Sequence, residues 1–123
     1  MKTDHLRLTV RLQDEFEWSV ANLAALVHAT AVAKGWYDET RTDAHTIAMV
    51  HCELSEYLEA LRSEDPGKPD KHCPNFSAAE VELADAVIRI LDHAASKGYR
   101  LGEAIVAKHA YNLTRPRKHG KRF

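Results

Sequence analysis

Hydrophobic positions recur at steps of three and four along most of the chain, which is the spacing of a helix face. The first segment shows the pattern at Leu12, Phe16, Val20, Leu23, Val27 and Ala31. The 5 glycines and 4 prolines are clustered, and they divide the chain into four long segments without an internal helix breaker. The pattern therefore predicts helices over about 12–34, 43–62, 77–97 and 102–113, followed by a basic tail at 115–123.

Local signals place the ends of these helices. Thr42 or Asp43 is the expected N-cap of the second helix. Ser77 and Glu80 have the spacing of a capping box ahead of an apolar run, and Gly98 follows the last turn of the third helix. We therefore expect an all-α fold, an antiparallel bundle of about four helices. The apolar helix surface is large for so short a bundle, so the bundle is expected to be completed by dimerisation.

Composition narrows the class of protein. A chain of 123 residues fits a single domain over 1–123, and 45% hydrophobic with 28% charged residues is ordinary for a globular protein. A net charge of -1 argues against a stable nucleic-acid partner. No apolar run approaches the roughly 20 residues that span a bilayer, so no membrane association is expected. Two cysteines, Cys52 and Cys73, are too few for a disulfide framework, which favours a cytoplasmic location.

Acidic residues stand at unusual positions on the third helix. Its apolar residues cover about half of the circumference, which predicts a mostly buried helix. Its polar residues fall together in one stripe of about 100°. That stripe contains Glu82, Asp85, Arg89, Asp92 and His93. Two carboxylates three residues apart, Glu82 and Asp85, therefore project from one side of a buried helix.

The second helix repeats this arrangement. Glu59 lies on its expected solvent face, whereas Glu53 and Glu56 lie on a flank beside small and apolar residues. The opposite, apolar stripe consists of Ile47, Val50, Leu54, Leu58 and Leu61. If the two helices pack antiparallel, four carboxylates converge. Buried like charges need a neutralising cation, and an all-oxygen cluster suits Mg²⁺ or Mn²⁺ better than zinc. Such ions bind and polarise phosphate chains.

Three segments together resemble the MazG-like nucleotide pyrophosphohydrolases, which belong to the all-α NTP pyrophosphatases. Segments 51–62 (HCELSEYLEALR) and 81–92 (VELADAVIRILD) match the family's Glu-x-x-Glu, spacer, Glu-x-x-Asp pattern. Segment 108–116 (KHAYNLTRP) is similar to its Lys-x-x-Tyr-Asn element. The resemblance covers about residues 36–115. It implies a helical bundle whose active form is a homodimer or a dimer of dimers.

The resemblance also implies a reaction, in which a (deoxy)nucleoside triphosphate is hydrolysed to the monophosphate and pyrophosphate. The residues at the positions of the family's metal ligands are Glu53, Glu56, Glu82 and Asp85. They would hold Mg²⁺, for which Mn²⁺ is expected to substitute, and Glu53 or Glu56 would position or deprotonate the attacking water. The expected phosphate-binding residues are Lys108, Tyr111, Asn112 and Arg115. The basic tail beyond Arg115 is either a further phosphate contact or a solubilising end.

Other residues receive weaker assignments. Trp36 precedes the second helix, and Trp18 and Asn22 lie four apart on the first. Each of the three is a candidate for nucleobase binding. Packing in the core or at a dimer interface is the commoner role of tryptophan. Arg89 and Asp92 continue the acidic stripe and are expected to lie behind the metal ligands. Arg89 would offset the charge of the carboxylates or orient one, and Asp92 is disfavoured as an additional metal ligand because it is two turns, about 10 Å, from the nearer carboxylate of the acidic pair. None of these residues distinguishes one base or sugar from another.

Two further interpretations stay open at this stage. One is a non-enzymatic helical interaction module whose basic tail touches nucleic acid. Another is a superfamily relative acting on phosphoribosyl-ATP or dUTP, with similar chemistry and a different pocket. A zinc site at the adjacent pairs His51-Cys52 and His72-Cys73 is disfavoured, because their spacing does not match common zinc modules.

Overall fold

The structure, a computed structural model, describes residues 3–123 and is all-helical over that range. Its four helices are α1 (Val10–Ala33), α2 (Asp43–Arg62), α3 (Ala78–Lys97) and α4 (Leu101–Leu113), and short 3-10 turns occur at Asp4–Leu6 and Arg117–Gly120. The sequence-based bounds are confirmed to within two residues. Within the described range, no helix is both long enough and apolar enough to span a bilayer.

Side-chain caps fix the helix starts. The hydroxyl of Thr42 accepts a hydrogen bond from the backbone N–H of His45, which selects Thr42 over Asp43 as the N-cap of α2. The capping box at α3 is present, with Ser77 and Glu80 each accepting from the other's backbone. Helix α1 begins at Val10 rather than at Leu12, because the Thr9 hydroxyl caps it. Each such cap contributes about 1 kcal/mol.

Helix α3 lies between α1 and α2, while α4 packs on α1. Helices α3 and α2 run antiparallel, since Arg89 pairs with Glu53 near their middles and Lys97 pairs with Asp43 at one end. The long connection 63–77 leads from the end of α2 to the start of α3, so that these ends also lie together. This arrangement brings the first turns of α3 beside the C-terminal half of α2, where the acidic motifs are.

Helix α4 covers only the N-terminal half of α1. At its start, a Cβ on Gly102 would stand 3.1 Å from the Cβ of Val20, so glycine allows a close approach of the two helices. Farther along, His109 Nε2 lies 3.1 Å from the carbonyl oxygen of Leu6. Helix α4 therefore runs antiparallel to α1, from near Val20 toward the start of the chain.

On α2 and α3, acidic residues face the neighbouring helices and many apolar residues face solvent, which is the reverse of an ordinary bundle. The apolar stripe of α2, expected in the core, is largely exposed, with Leu58 at 53% and Ile47 at 52%. On α3, Val87 is also 53% exposed, whereas Glu82 and Asp85 are only partly exposed. The buried core is small, and most of its members are alanines: Ala24, Ala79, Ala86, Leu91, Ala94 and Val106. The polar stripe of α3 thus faces its neighbours, and broad apolar surface remains outside.

Candidate metal centre

Three carboxylates from α2 and α3 converge on one point. One oxygen from each of Glu53, Glu82 and Asp85 lies within 4.8 Å of the others. Glu53 is the most enclosed of the three, with 6% of its surface exposed. Oxygens on opposite sides of a bound Mg²⁺ ion are about 4 Å apart, so small movements would let these three share one ion. The oxygen-only donor set fits Mg²⁺ or Mn²⁺.

The fourth predicted carboxylate, Glu56, adjoins the same cluster. A hydrogen bond with the carboxyl of Glu53, together with the negative charges of Glu53 and Glu82, raises the pKa of Glu56 above its ordinary value. Burial, and then the charge of Glu53, raise the pKa of Asp85, while Arg89 partly opposes this shift. Both raised pKa values show that the fully ionised cluster is energetically unfavourable unless positive charge is added.

One arginine offsets part of that charge. The Nε of Arg89, on α3, donates a hydrogen bond to the carboxylate of Glu53. The pair is largely shielded, with 28% of the Arg89 side chain and 9% of the Glu53 side chain exposed. The position agrees with the role predicted for Arg89, namely to offset and orient a carboxylate. A single guanidinium beside four carboxylates still leaves a strongly negative centre.

A cavity of about 260 Å³ opens beside this centre, between the C-terminal half of α1, the 34–42 connection, and α3. Glu53 and Asp85 form part of its wall, and so does Trp36, a residue that is 54% exposed. The remaining lining residues are Val27, Thr30, Ala31, Lys34, Arg41, Ile88, Arg89 and Asp92. Carboxylates, cations and an aromatic ring therefore share one concave surface, the usual setting of a ligand site.

Asp92 lines this cavity but has a different role from the cluster carboxylates. Its Oδ1 accepts a hydrogen bond from the hydroxyl of Tyr37 at 2.9 Å and lies 2.8 Å from Nδ1 of His28. The rings of His28 and Tyr37 meet edge-on at 4.8 Å. Asp92 therefore joins α1, the 34–42 connection and α3, and its contacts hold the connection in place.

The second pair of predicted base-binding residues lies elsewhere. Trp18 is 69% exposed on α1, and the side-chain amide of Asn22 donates to the carbonyl oxygen of Trp18 at 2.7 Å. Neither residue lines the cavity beside the carboxylates. Within one chain, Trp36 is thus the tryptophan that the fold brings to the candidate site.

The predicted phosphate-binding residues form a cationic group at the C-terminal end of α4 and just beyond it, here named the α4 patch (Lys108, Tyr111, Asn112 and Arg115). Lys108 Nζ lies 4.6 Å from the centroid of the Tyr111 ring, and the guanidinium of Arg115 lies 5.7 Å from it. Asn112 Oδ1 is buried without a hydrogen-bond partner. Among residues 3–123, neither cation of the patch forms an ion pair. The two cations, rather than the Asn112 oxygen, therefore equip the patch to bind an anion.

The fold does not bring the α4 patch to the carboxylates of its own chain. The C-terminal half of α4 shares a small cavity with Leu8 and Gln13 at the start of α1. The carboxylate cavity instead adjoins Thr30, which is 17 positions farther along α1 than Gln13. At 1.5 Å per residue, these two places on α1 are about 25 Å apart. One chain thus carries the two halves of the predicted site at opposite ends of α1.

The histidine–cysteine pairs lie outside the group of potential metal ligands. In the part of the chain that the structure describes, the group of potential metal ligands is Glu53, Glu82 and Asp85, without histidine or cysteine. The backbone N–H groups of His72 and Cys73 instead both donate to Asp70 Oδ2, at 2.7 Å. These contacts close a turn in the 63–77 connection.

Sequence reasoning missed Arg41, which lines the cavity, and His28, which contacts the cavity residue Asp92. His28 and Asp92 are 64 positions apart, and nothing in the helical period of either segment signals their contact. For Arg41, a usable signal was its place in a short connection beside Trp36 and Tyr37, because arginine stacks readily on aromatic rings.

Comparison with known proteins adds no relative: no family model matches the chain, and neither curated proteins nor solved structures yield a match. The resemblance to MazG-like enzymes therefore stays a prediction from the motifs. The spatial convergence of the motif carboxylates is consistent with it.

Proposed function

We propose that the protein is a metal-dependent nucleoside triphosphate pyrophosphohydrolase, which converts a (deoxy)nucleoside triphosphate and water into the monophosphate and pyrophosphate. The observation that carries this proposal is the convergence of Glu53, Glu82 and Asp85, with Glu56 adjoining them, beside a cavity that Glu53, Asp85 and Arg89 line. Acidic side chains crowded together, with Glu53 buried and Glu82 and Asp85 half-buried, are costly to a fold, and a bound cation explains their presence.

In this proposal the four carboxylates hold Mg²⁺, or Mn²⁺ in its place. The ion would neutralise phosphate charge and lower the pKa of bound water. Glu53 or Glu56 would accept a proton from the attacking water. Arg89 would keep Glu53 oriented through its hydrogen bond.

We further propose that the active form is a homodimer or a dimer of dimers. The exposed apolar stripes of α2 and α3 exceed what an isolated small protein normally leaves in water. The α4 patch lies about 25 Å along α1 from the carboxylates of its own chain, so a second copy is the available source of a patch near each cluster. In such an assembly, Lys108 and Arg115 of one chain would bind the phosphate chain held at the other.

A product assay tests the reaction class. Purified protein is incubated with NTPs, dNTPs, dUTP and phosphoribosyl-ATP in Mg²⁺, Mn²⁺ or EDTA, and pyrophosphate, orthophosphate and monophosphate are quantified. The proposal expects pyrophosphate and monophosphate in equal amounts, with none in EDTA. The substrate panel then identifies the base and separates the superfamily alternatives. Release of orthophosphate, or turnover that EDTA does not reduce, would contradict the proposal.

Metal binding is expected to weaken as the pH is lowered. The weakening should begin while the pH is still above the ordinary carboxyl pKa values, which are 3.8 for Asp and 4.5 for Glu. Glu56 and Asp85 have raised pKa values in the folded protein, so they take up protons at a higher pH than in the unfolded chain. In the metal-free protein, stability therefore falls as pH rises through the interval between the ordinary and the raised pKa values. Mg²⁺ reverses this trend, because it binds the ionised carboxylates.

Thermal unfolding with and without Mg²⁺ across pH 4 to 8 measures this effect. The increase in Tm caused by Mg²⁺ is expected to be small at the acid end and large near neutrality. An increase that is independent of pH would show that Glu56 and Asp85 do not contribute to the binding site.

A further inference from the structure

We propose that Arg41 binds the phosphate chain of the substrate on the side of the cavity away from the acidic cluster; this rests on the proposed function above. Arg41 lies in the connection that precedes α2 and lines the same cavity as Glu53 and Asp85. It belongs to none of the three motifs that resemble the MazG-like enzymes. Its assignment comes from its surroundings in the fold.

The first observation is an unused hydrogen-bond donor. The Nε of Arg41 is buried and has no partner, and Arg41 forms no ion pair among residues 3–123. A buried donor of a charged group is expensive to leave unsatisfied. The other arginine in the cavity wall, Arg89, has its Nε satisfied by Glu53. Arg41 is therefore the guanidinium of this cavity whose charge no carboxylate among residues 3–123 neutralises, which leaves its charge to a ligand.

The second observation is that the guanidinium of Arg41 is held in place. Its central carbon lies 5.2 Å from the centroid of the Tyr37 ring and 5.9 Å from that of Trp36. Tyr37 is in turn fixed by the hydrogen bond from its hydroxyl to Asp92. A guanidinium stacked on aromatic rings loses little further freedom on binding, and its planar fork matches a phosphate group.

Charge decides the kind of ligand. The ionisable residues of the cavity wall balance, with Lys34, Arg41 and Arg89 facing Glu53, Asp85 and Asp92. Glu56 and Glu82 adjoin this wall, so a divalent cation at the acidic cluster brings the charge of the whole centre to zero and leaves the cations of the wall free to bind a highly charged anion. A triphosphate held by the ion at one end would present further phosphate oxygens to the cationic side of the cavity. Asp92 then acts as a positioning residue for Arg41, through Tyr37.

Calorimetric titration with inorganic tripolyphosphate in Mg²⁺ tests the assignment, since this probe lacks a base. We expect Arg41→Gln to weaken its binding by about 10- to 100-fold, the range for loss of a charged hydrogen bond. Arg41→Lys should recover only part of the loss, because lysine keeps the charge without the fork. Arg62→Gln is the matched control, since Arg62 is exposed on α2 and lines none of the cavities described here. Each variant's Tm is measured alongside.

The same titration is repeated with nucleotides whose α,β-bridging oxygen is replaced by methylene. Equal weakening of tripolyphosphate and nucleotide by Arg41→Gln supports the proposal. Unchanged tripolyphosphate affinity overturns it, and weakening confined to nucleotides overturns it in favour of a base contact. These outcomes are independent of the reaction. If the protein releases pyrophosphate and Arg41→Gln leaves tripolyphosphate affinity unchanged, the proposed function is retained and Arg41 is not part of the site. If Arg41→Gln weakens tripolyphosphate binding but the wild-type protein releases no pyrophosphate, Arg41 is confirmed as a phosphate ligand and the proposed reaction is rejected.

Discussion

Glu82→Gln and Asp85→Asn are each expected to lower pyrophosphate release by about a thousandfold while leaving the helices intact. Each change removes a negative oxygen ligand from a cluster whose members lie within 4.8 Å of one another. A neutral amide binds Mg²⁺ far more weakly than a carboxylate, and the reaction depends on that ion for charge neutralisation. Initial rates at saturating Mg²⁺, with circular dichroism of each variant, measure the effect. Glu53→Gln should be as damaging, with the added loss of its ion pair with Arg89.

Thermal stability separates a functional cluster from a structural one. Without metal, Glu82→Gln and Asp85→Asn reduce repulsion among carboxylates, so their Tm is expected to equal or exceed that of the wild type. A purely structural role predicts the opposite, a lower Tm. Glu59→Gln is the matched control, because Glu59 is exposed on α2 and does not belong to the cluster. Near-normal turnover in Glu82→Gln or Asp85→Asn would remove that residue from the site, and a large loss in Glu59→Gln would contradict the assignment of helix faces.

Mixing two inactive variants is expected to restore activity. One variant carries Glu53→Gln, and the other carries Lys108→Ala with Arg115→Ala. If each site combines the carboxylates of one chain with the α4 patch of another, a mixed dimer contains one intact site and one doubly damaged site. Random exchange makes half of the dimers mixed, so about a quarter of wild-type activity should return.

The design includes its own control. A mixture of Glu53→Gln with Glu82→Gln should stay inactive, because both changes damage the cluster of their own chain. Light scattering at micromolar concentration gives the oligomeric state in parallel. A monomer under assay conditions, or no recovery after subunit exchange is demonstrated with tagged chains, would contradict a site shared between copies.

The sequence by itself determined the local structure of this protein. Helix spacing of apolar residues, a capping box at Ser77 and Glu80, and Gly98 in the left-handed conformation were sufficient to define four helices to within two residues. The same local geometry predicted that Glu53 and Glu56, and Glu82 and Asp85, project in pairs. These features depend on residues a few positions apart, and backbone geometry relates such residues directly.

Only the tertiary structure decided which helix faces meet. Periodicity indicated that the leucine stripe of α2 would be buried, yet the fold turns Glu53 toward α3 and leaves Leu58 and Ile47 exposed. An apolar stripe indicates that a helix packs against another apolar surface, but it does not show whether that surface belongs to the same chain or to another.

Long-range placement was likewise beyond the pattern. The contact of Asp92 with His28, the position of Arg41 at the cavity, and the location of the α4 patch at the far end of α1 all depend on helix packing. Packing depends on the fit of whole surfaces, and residues that meet there lie dozens of positions apart. Sequence spacing therefore identified most of the chemical groups of the candidate site, while the packing of α1, α3 and α4 decided which of them one chain brings together.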